Sequence, residues 1–435
     1  MIALSTSEIA ALTGGDLRRD VTVTGVETDS RRVRPGGLFV ALPGARTDGA
    51  RFAAAARRAG AVAVLAGRES RVDAEVEVDD PVLALGRIAA LVRSRSEAAV
   101  VAITGSTGKT STKDILAALL APHMPIVASH ANYNTEIGLP LTLCLIEADT
   151  RAVVCEMGMR GAGQIAYLTA IARPDVAVIT GIGPVHLEQV GSIEGVAAAK
   201  AEIIEGMGEG GVVVVPHGEP LLAPHLDGAG LRVVTFGEAE GADVRLAGFA
   251  GGRAELAVHG RTVHLPVNFS QTYNARNLAA AAAAYDALGL PLDGLAVGAA
   301  GIAFSALRSE ERELAGGGVL IVDCYNANPV SMRAALEHLA ATEGGRRVAV
   351  LGDMAELGEG AAAYHDDVAA LVRDLGIDVV VGVGELARGY GGTWFATAAD
   401  AAAEVPGMLR PGDAVLVKGS RSIGLEAVVE AVEAG

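Results

Sequence analysis

The eight residues TGSTGKTS at 104–111 carry the most specific chemistry in the chain. They follow a short apolar run, VVAIT at 100–104, and open a helical stretch reaching about residue 120. Gly105 and Gly108 let the main chain curl so that several N–H groups face one point. The start of the helix adds the positive end of its dipole. The stretch Gly105, Ser106, Thr107, Gly108, Lys109, Thr110 and Ser111 is therefore a candidate phosphate cradle. Lys109 can reach terminal phosphates, and the Thr110 hydroxyl suits Mg²⁺. Ile103 stands where the general phosphate-loop pattern has its first glycine. A purely structural glycine turn is the alternative; strand, GKT and helix in register argue against it.

Other candidates sit at the ends of other strand-like runs. Glu156 ends AVVCE (152–156), at the edge of a parallel sheet where ligands gather, and a carboxylate there suits Mg²⁺. A capping or salt-bridged glutamate is the bland alternative. His186 and Lys200 lie in GIGPVHLEQVGSIEGVAAAKAEI (181–203), again after a strand. Alone, one reads as an ordinary histidine and the other as a surface lysine. YNARN (273–277) opens a helix. VDCYNANPVSM (322–332) is strand, polar turn, helix: Asp323 ends the strand, and Asn326 and Asn328 suit either a turn or amide recognition.

Scarcity sharpens the lysine reading. Lysine occurs only at 109, 113, 200 and 418, whereas 31 of the 35 Lys and Arg residues are arginine. A lysine that persists in such a composition is a candidate for chemistry arginine cannot copy. Six of the seven asparagines fall in the pairs 132/134, 274/277 and 326/328, which coincide with these motifs.

The elements that must position these residues read as alternating strands and helices. AVVCE, VAVIT (176–180) and VVVV (212–215) repeat the pattern of 100–120, which argues for a mostly parallel α/β sheet. Residues 243–268 read as three short strands in hairpins beside that sheet, before an alanine-rich helix over 274–288. LIVD (320–323), RVAVL (347–351), DVVVGV (378–383) and AVLV (414–417), separated by helices near 331–342, 361–375 and 422–434, predict a doubly wound unit. The expected units are 1–96, 97–306 and 307–435. In the first, PGG (35–37) and PGARTDG (43–49) read as turns, with a helix near 50–59.

Composition bounds the function. A net charge of −17 disfavours a nucleic-acid binder, which needs a basic face, but local amides can still hold phosphate. Three cysteines without a CxxC pair fit free thiols in a reducing cytosol. The N-terminal residues lack a signal-peptide pattern, and the alanine run 278–284, flanked by Arg276 and Asp286, is too short to span a bilayer. A cytoplasmic protein without membrane insertion is expected, acting as a monomer.

Taken together, these motifs resemble the Mur ligases, which build the peptide of bacterial cell walls. The resemblance covers nearly the whole chain. TDSRRVRPGGLFVALPGARTDGARF (28–52) is similar to the family's uridine-nucleotide-binding domain; ANYNTEIGLPLTL (131–143), CEMGMRGAGQI (155–165), DCYNANPVSM (323–332), LGDMAELG (351–358) and VKGSRS (417–422) follow in order. The DNPR motif of the ligase adding the third residue is missing. The resemblance implies three α/β domains: a small N-terminal UDP-binding domain, a central phosphate-loop ATPase-like sheet and a C-terminal Rossmann-like domain for the incoming amine. It implies an ATP- and Mg²⁺-dependent ligase that activates the carboxylate of UDP-N-acetylmuramoyl-tripeptide as an acyl phosphate for attack by D-Ala-D-Ala.

By the same resemblance Lys109 and its loop hold the ATP phosphates, Thr110 and Glu156 bind one Mg²⁺, and His186 and a carbamylated Lys200 serve a second. Asn277 matches an adenine contact, and Arg308 and Asp323 approach ATP from the C-terminal domain, implying closure of that domain. Ser30, Arg31, Asp48, Asn134 and Thr135 are expected on the peptidyl-nucleotide substrate, and Asn326, Asn328 and Ser331 near the domain interface. Tyr273 replaces a usual histidine, Thr135 a common asparagine, and VHLEQVGS a usual AHLxxFGS. Two alternatives stay open: a related ligase with another amine acceptor, such as a folylpolyglutamate-type enzyme, and a phosphate-loop ATPase that switches a partner.

Overall fold

A computed structural model describes residues 1–44, 47–228 and 230–434. The turn expected at 43–49 includes residues 45 and 46, which lie outside the described residues, as does Gly435.

Runs of Val, Ile and Ala build a nine-stranded central sheet. Its order is Arg261–Pro266, Arg253–Val258, Val244–Ala250, Arg232–Gly237, Val212–Pro216, Val176–Ile179, Ala99–Thr104, Ala152–Glu156 and Ile126–Ala128. Neighbours from Val244–Ala250 to Ile126–Ala128 all pair in parallel. Parallel strands are covered on both faces, which is why these runs are continuously apolar. The three strands expected in hairpins beside this sheet do pair as antiparallel hairpins, and they extend it, Val244–Ala250 pairing in parallel with Arg232–Gly237. They are reached through Arg232–Gly237, a strand whose exposed Arg232 and Val233 hide its pattern.

The helix Lys109–Leu120 and the helix Thr272–Ala287 share one core with the sheet. Residues 278–284 of the latter are all buried, so the alanine run is a thin packing element and not a surface. Small side chains permit such close approach. Nearby, a Cβ on Gly298 would lie 2.3 Å from the Ala118 carbonyl oxygen.

In the N-terminal unit, five strands run in the order Asp16–Leu17, Val76–Val78, Ala61–Gly67, Gly37–Ala41 and Gly25–Glu27. The helix Pro81–Ser94 follows; Asp80 caps it by accepting from Val82 N (2.8 Å) and Leu83 N (3.0 Å). Its Leu85, Ile88 and Val92 join a single core that runs from Val40 and Leu65 to Val100, Cys155 and Ile179. The N-terminal and central sheets are thus packed as one body.

The C-terminal sheet has the order Glu310–Glu313, Val319–Val322, Ala414–Lys418, Arg347–Gly352, Val379–Val383 and Thr393–Phe395, parallel except for its first pair. Alternate residues face opposite layers. Ile321, Ala349 and Leu416 pack with the helices Pro329–Ala341 and Ala361–Asp374; Leu320, Val348 and Val415 pack with Ala398–Met408 and Glu426–Ala434. Both of these cores draw only on residues from 307 onward. The fold is a three-domain α/β architecture in which the third domain carries its own hydrophobic core.

Candidate active site

Parallel pairing brings the C-terminal ends of Ala99–Thr104, Ala152–Glu156 and Val176–Ile179 side by side. The phosphate loop leaves the first of these. Gly105 (φ 143°) and Gly108 (φ 80°) take left-handed conformations in packing too close for a side chain: a Cβ would lie 2.0 Å from Thr180 Oγ1 and 2.3 Å from Asn277 Oδ1, respectively. Ser106 is pinned by donating from Oγ to Gly183 O (3.0 Å) and accepting from Gly183 N (2.9 Å). Lys109 arches over the loop, Nζ donating to Gly105 O at 2.8 Å. Burial pushes its pKa down, opposed by Glu156.

Glu156 is buried with both carboxylate oxygens engaged. Thr110 Oγ1 donates to Oε2 at 2.7 Å and Asn134 Nδ2 to Oε1 at 2.8 Å, while Glu156 N donates to Ser129 Oγ at 3.1 Å. The loop threonine and the strand-edge carboxylate expected to share a cation therefore already touch.

Lys200 lies on the helix Ile193–Glu205, 2 % exposed, and among the described residues nothing hydrogen-bonds or ion-pairs with its amine. Burial, with Lys109 nearby, holds its pKa well below the ordinary lysine value. His186 takes φ 52° before a short helix, and its Nδ1 contacts Glu356 of the C-terminal domain. Burial lowers its pKa while Glu356 opposes the shift.

A cavity of about 820 Å³ opens between this sheet edge and the C-terminal domain. From the latter, Asp323 forms an ion pair with the buried Lys418 (2.6 Å), whose Nζ also donates to Asn326 O (3.1 Å). The Arg308 guanidinium lies 4.1 Å over the Tyr325 ring. Asn328 caps the helix Pro329–Ala341 by accepting from Ser331 N (2.9 Å), and its Nδ2 reaches Ser106 O (3.4 Å). It is both a turn residue and an interface residue. Tyr273 Oη donates to Ser309 Oγ (3.0 Å), and burial raises the phenol pKa.

Of the expected residues, Ser106, Thr107, Gly108, Lys109, Thr110, Ser111, Asn134, Thr135, Glu156, His186, Lys200, Asn277, Arg308, Asp323, Asn326, Asn328 and Ser331 line this one cavity; Gly105 sits behind the loop. Ser30, Arg31 and Asp48 do not line it. Arg31 pairs with Asp29 (2.6 Å), and Asp48 accepts from Ala50 N (2.9 Å). Lys418, Tyr325 and Glu356 were not among the expected site residues. Lysine scarcity pointed to the first; nothing local marked the other two beyond the motifs that hold them.

A phosphate loop, a strand-edge carboxylate and a second α/β domain facing them define a nucleotide-binding protein whose site lies between domains. Comparison supplies the family. Residues 22–126 match "Mur ligase family, catalytic domain", 103–285 "Mur ligase middle domain" and 308–421 "Mur ligase, glutamate ligase domain". The chain belongs to the Mur ligase family. It is 36% identical over 502 aligned positions to the UDP-N-acetylmuramoyl-tripeptide–D-alanyl-D-alanine ligase of Mycobacterium tuberculosis, covering 100% of this chain and 98% of that protein. MurF from Acinetobacter baumannii superposes with a TM-score of 0.89 at 30% identity, covering 100% and 99% of the two chains. MurF ligase from Thermotoga maritima, solved in complex with ADP, superposes with a TM-score of 0.83 at 30% identity, covering 95% and 97%.

Proposed function

We propose that this chain is an ATP-dependent, ADP-forming ligase that adds D-alanyl-D-alanine to UDP-N-acetylmuramoyl-tripeptide in peptidoglycan precursor synthesis. One observation carries the reading. The phosphate loop, Glu156 and the C-terminal Arg308, Asp323 and Lys418 share one cavity, in a chain alike over its full length to ligases of that name. The division of labour is UDP-substrate binding by 1–96, ATP binding by 97–306 and dipeptide binding by 307–435.

In the first step a carboxylate oxygen of the tripeptide attacks the γ-phosphorus of ATP, and ADP leaves. In the second the dipeptide amine attacks the acyl carbon, loses a proton, and phosphate departs. The first step brings two anions together, so charge neutralisation is the main demand. Lys109 and the N–H groups of 105–111 meet it at the phosphates, and Arg308 from across the cavity. Asn277, packed against Gly108, serves adenine. Asp323, held by Lys418, faces the nucleotide. Asn134 and Thr135 serve the peptide, Ser30, Arg31 and Asp48 the uridine end, and Asn326, Asn328 and Ser331 the interface.

Mg²⁺ binds through one or two carboxylates plus substrate phosphates and water. Thr110 and Glu156, already in contact, offer that kind of partial donor set. Among the described residues no three His, Cys, Asp or Glu side chains converge as a ready cage. His186 and Lys200 would hold a second ion, Lys200 as a carbamate: a buried amine of depressed pKa, with no hydrogen-bond or ion-pair partner among the described residues, is suited to adding CO₂. Bound there, the ions neutralise phosphate charge. No described helix is long and apolar enough to cross a membrane, and the reading places the enzyme in the cytoplasm as a monomer.

The test is phosphate release from ATP and Mg²⁺ with the two substrates added singly and together. Release only with both, and a pentapeptide mass in the product, is the expected result. Release that ignores the dipeptide would reopen the identity of the amine, and release that ignores both substrates would overturn the ligase reading.

A further inference from the structure

Three of the four lysines, Lys109, Lys200 and Lys418, line the cavity. The fourth does not, and the reaction leaves it without a role. Lys113 lies on the phosphate-loop helix one turn beyond Lys109 and is only 3 % exposed. Its amine meets its own neighbour and two other segments: Asp114 Oδ1 at 2.7 Å, Ser129 O at 2.9 Å and Ser305 Oγ at 3.4 Å.

Two of those contacts lead to opposite walls of the nucleotide site. Ser129 follows the strand Ile126–Ala128; its Oγ accepts the Glu156 N–H, and its own N–H donates to Val154 O (2.9 Å). Ser305 lies in the linker between the central and C-terminal domains, donating to Asp114 from N (2.8 Å) and Oγ (3.1 Å). Just beyond it, Leu307 (φ 64°) and Ser309 (φ 54°) flank Arg308 in the left-handed region. Side chains other than glycine hold that conformation only where the surroundings impose it. Tyr325 N donating to Leu307 O (3.2 Å) and Ser309 N donating to Asp323 (3.3 Å) hold the far end. The Asp114–Lys113 pair holds the near end.

We propose that Lys113 is a positioning residue for the ligase reaction. One buried ammonium, with Asp114, ties the phosphate-loop helix to the backbone that carries Glu156 and to the linker that presents Arg308. The three then keep a common geometry across the joint between domains. The role suits lysine: a compact cation with three donors on a slim stem fits a closed pocket that the planar guanidinium fork would not.

The inference uses the ligase reading for its assay. The full-length enzyme is compared with Lys113→Met, Lys113→Met/Asp114→Asn and Ser305→Ala, following steady-state turnover, melting temperature and amide hydrogen exchange. Lys113→Met removes the ion-pair partner of the Asp114 carboxylate, leaving it only the Ser305 donors, and lowers the melting temperature; the double variant removes that charge and recovers much of the loss. In the double variant kcat is expected to stay about tenfold or more below wild type, with the KM for ATP changed less than about threefold. Ser305→Ala is expected to lower kcat several-fold at an unchanged melting temperature. Exchange is expected to quicken at 129, 156 and 305–309 in the double variant. Recovery of kcat together with stability, or wild-type turnover and exchange in Ser305→Ala and the double variant, would overturn the role. An inactive wild type would instead count against the ligase reading, and the exchange pattern would still decide the positioning.

Discussion

Asn328 Nδ2 of the C-terminal domain lies 3.4 Å from the main-chain oxygen of Ser106 in the phosphate loop, while the same side chain caps its own helix. The two jobs can be separated. Asn328→Ala is expected to cost about 1 kcal/mol of stability through the lost cap and to lower kcat/KM for ATP. Asn328→Ser keeps a capping oxygen but not the reach to Ser106, so its melting temperature should stay near wild type while kcat/KM still falls. Thermal melts beside initial rates distinguish these outcomes.

Lys109 supplies the cation over the phosphate loop. Lys109→Ala should reduce ATP turnover by about 10²–10³-fold or more, the scale seen when one preorganised charge-stabilising group is removed. Phosphate release with both substrates present measures it. Residual turnover near wild type would remove Lys109 from the chemistry.

Lys200→Ala should be inactive alone and partly restored by formate or acetate, which can place a carboxylate where the carbamate would stand. Full activity without any additive would sink the carbamate role.

Glu311 links the domains: its Oε1 accepts from Gln271 Nε2 (2.8 Å) in the central domain and contacts His338 Nε2 (2.8 Å) in its own. The hydrogen bond with His338, ahead of those from Ser270 and Gln271, holds its pKa below the usual 4.5 despite desolvation. A carboxyl with a lowered folded pKa binds fewer protons folded than unfolded. Its stabilisation is therefore complete above about pH 4.5 and is lost as pH falls through the lowered value. Melting temperatures taken from pH 6 downward should fall less steeply in Glu311→Gln than in wild type.

The phosphate loop was legible in the sequence because its chemistry is local: the strand, both glycines, Lys109 and the helix start are contiguous. Glu156 was legible because a parallel sheet gathers its strand ends at one edge. Lys418 could be marked by scarcity but not assigned, since its partner Asp323 is 95 positions away. The Glu356 contact with His186 spans 170 positions and joins two domains. Exposed Arg232 and Val233 break the apolar run of the strand Arg232–Gly237, whereas the helix Pro81–Ser94 carries a strong start signal in Asp80 and Pro81 that the expected elements do not use. Ser30, Arg31 and Asp48 show a different limit: a likeness of segments places residues on a domain but not in a particular cavity.

The division of the cores bears on how the protein is made. Domains of a growing chain generally fold as units, from the N-terminus onward. The core shared by the first two domains can form while the ribosome is still adding the third, whose two cores use only residues from 307 onward. Until that last domain folds and docks, the phosphate loop faces no Arg308 or Asp323. A chain whose synthesis stops before residue 307 therefore carries the phosphate loop but lacks the opposite wall of the cavity.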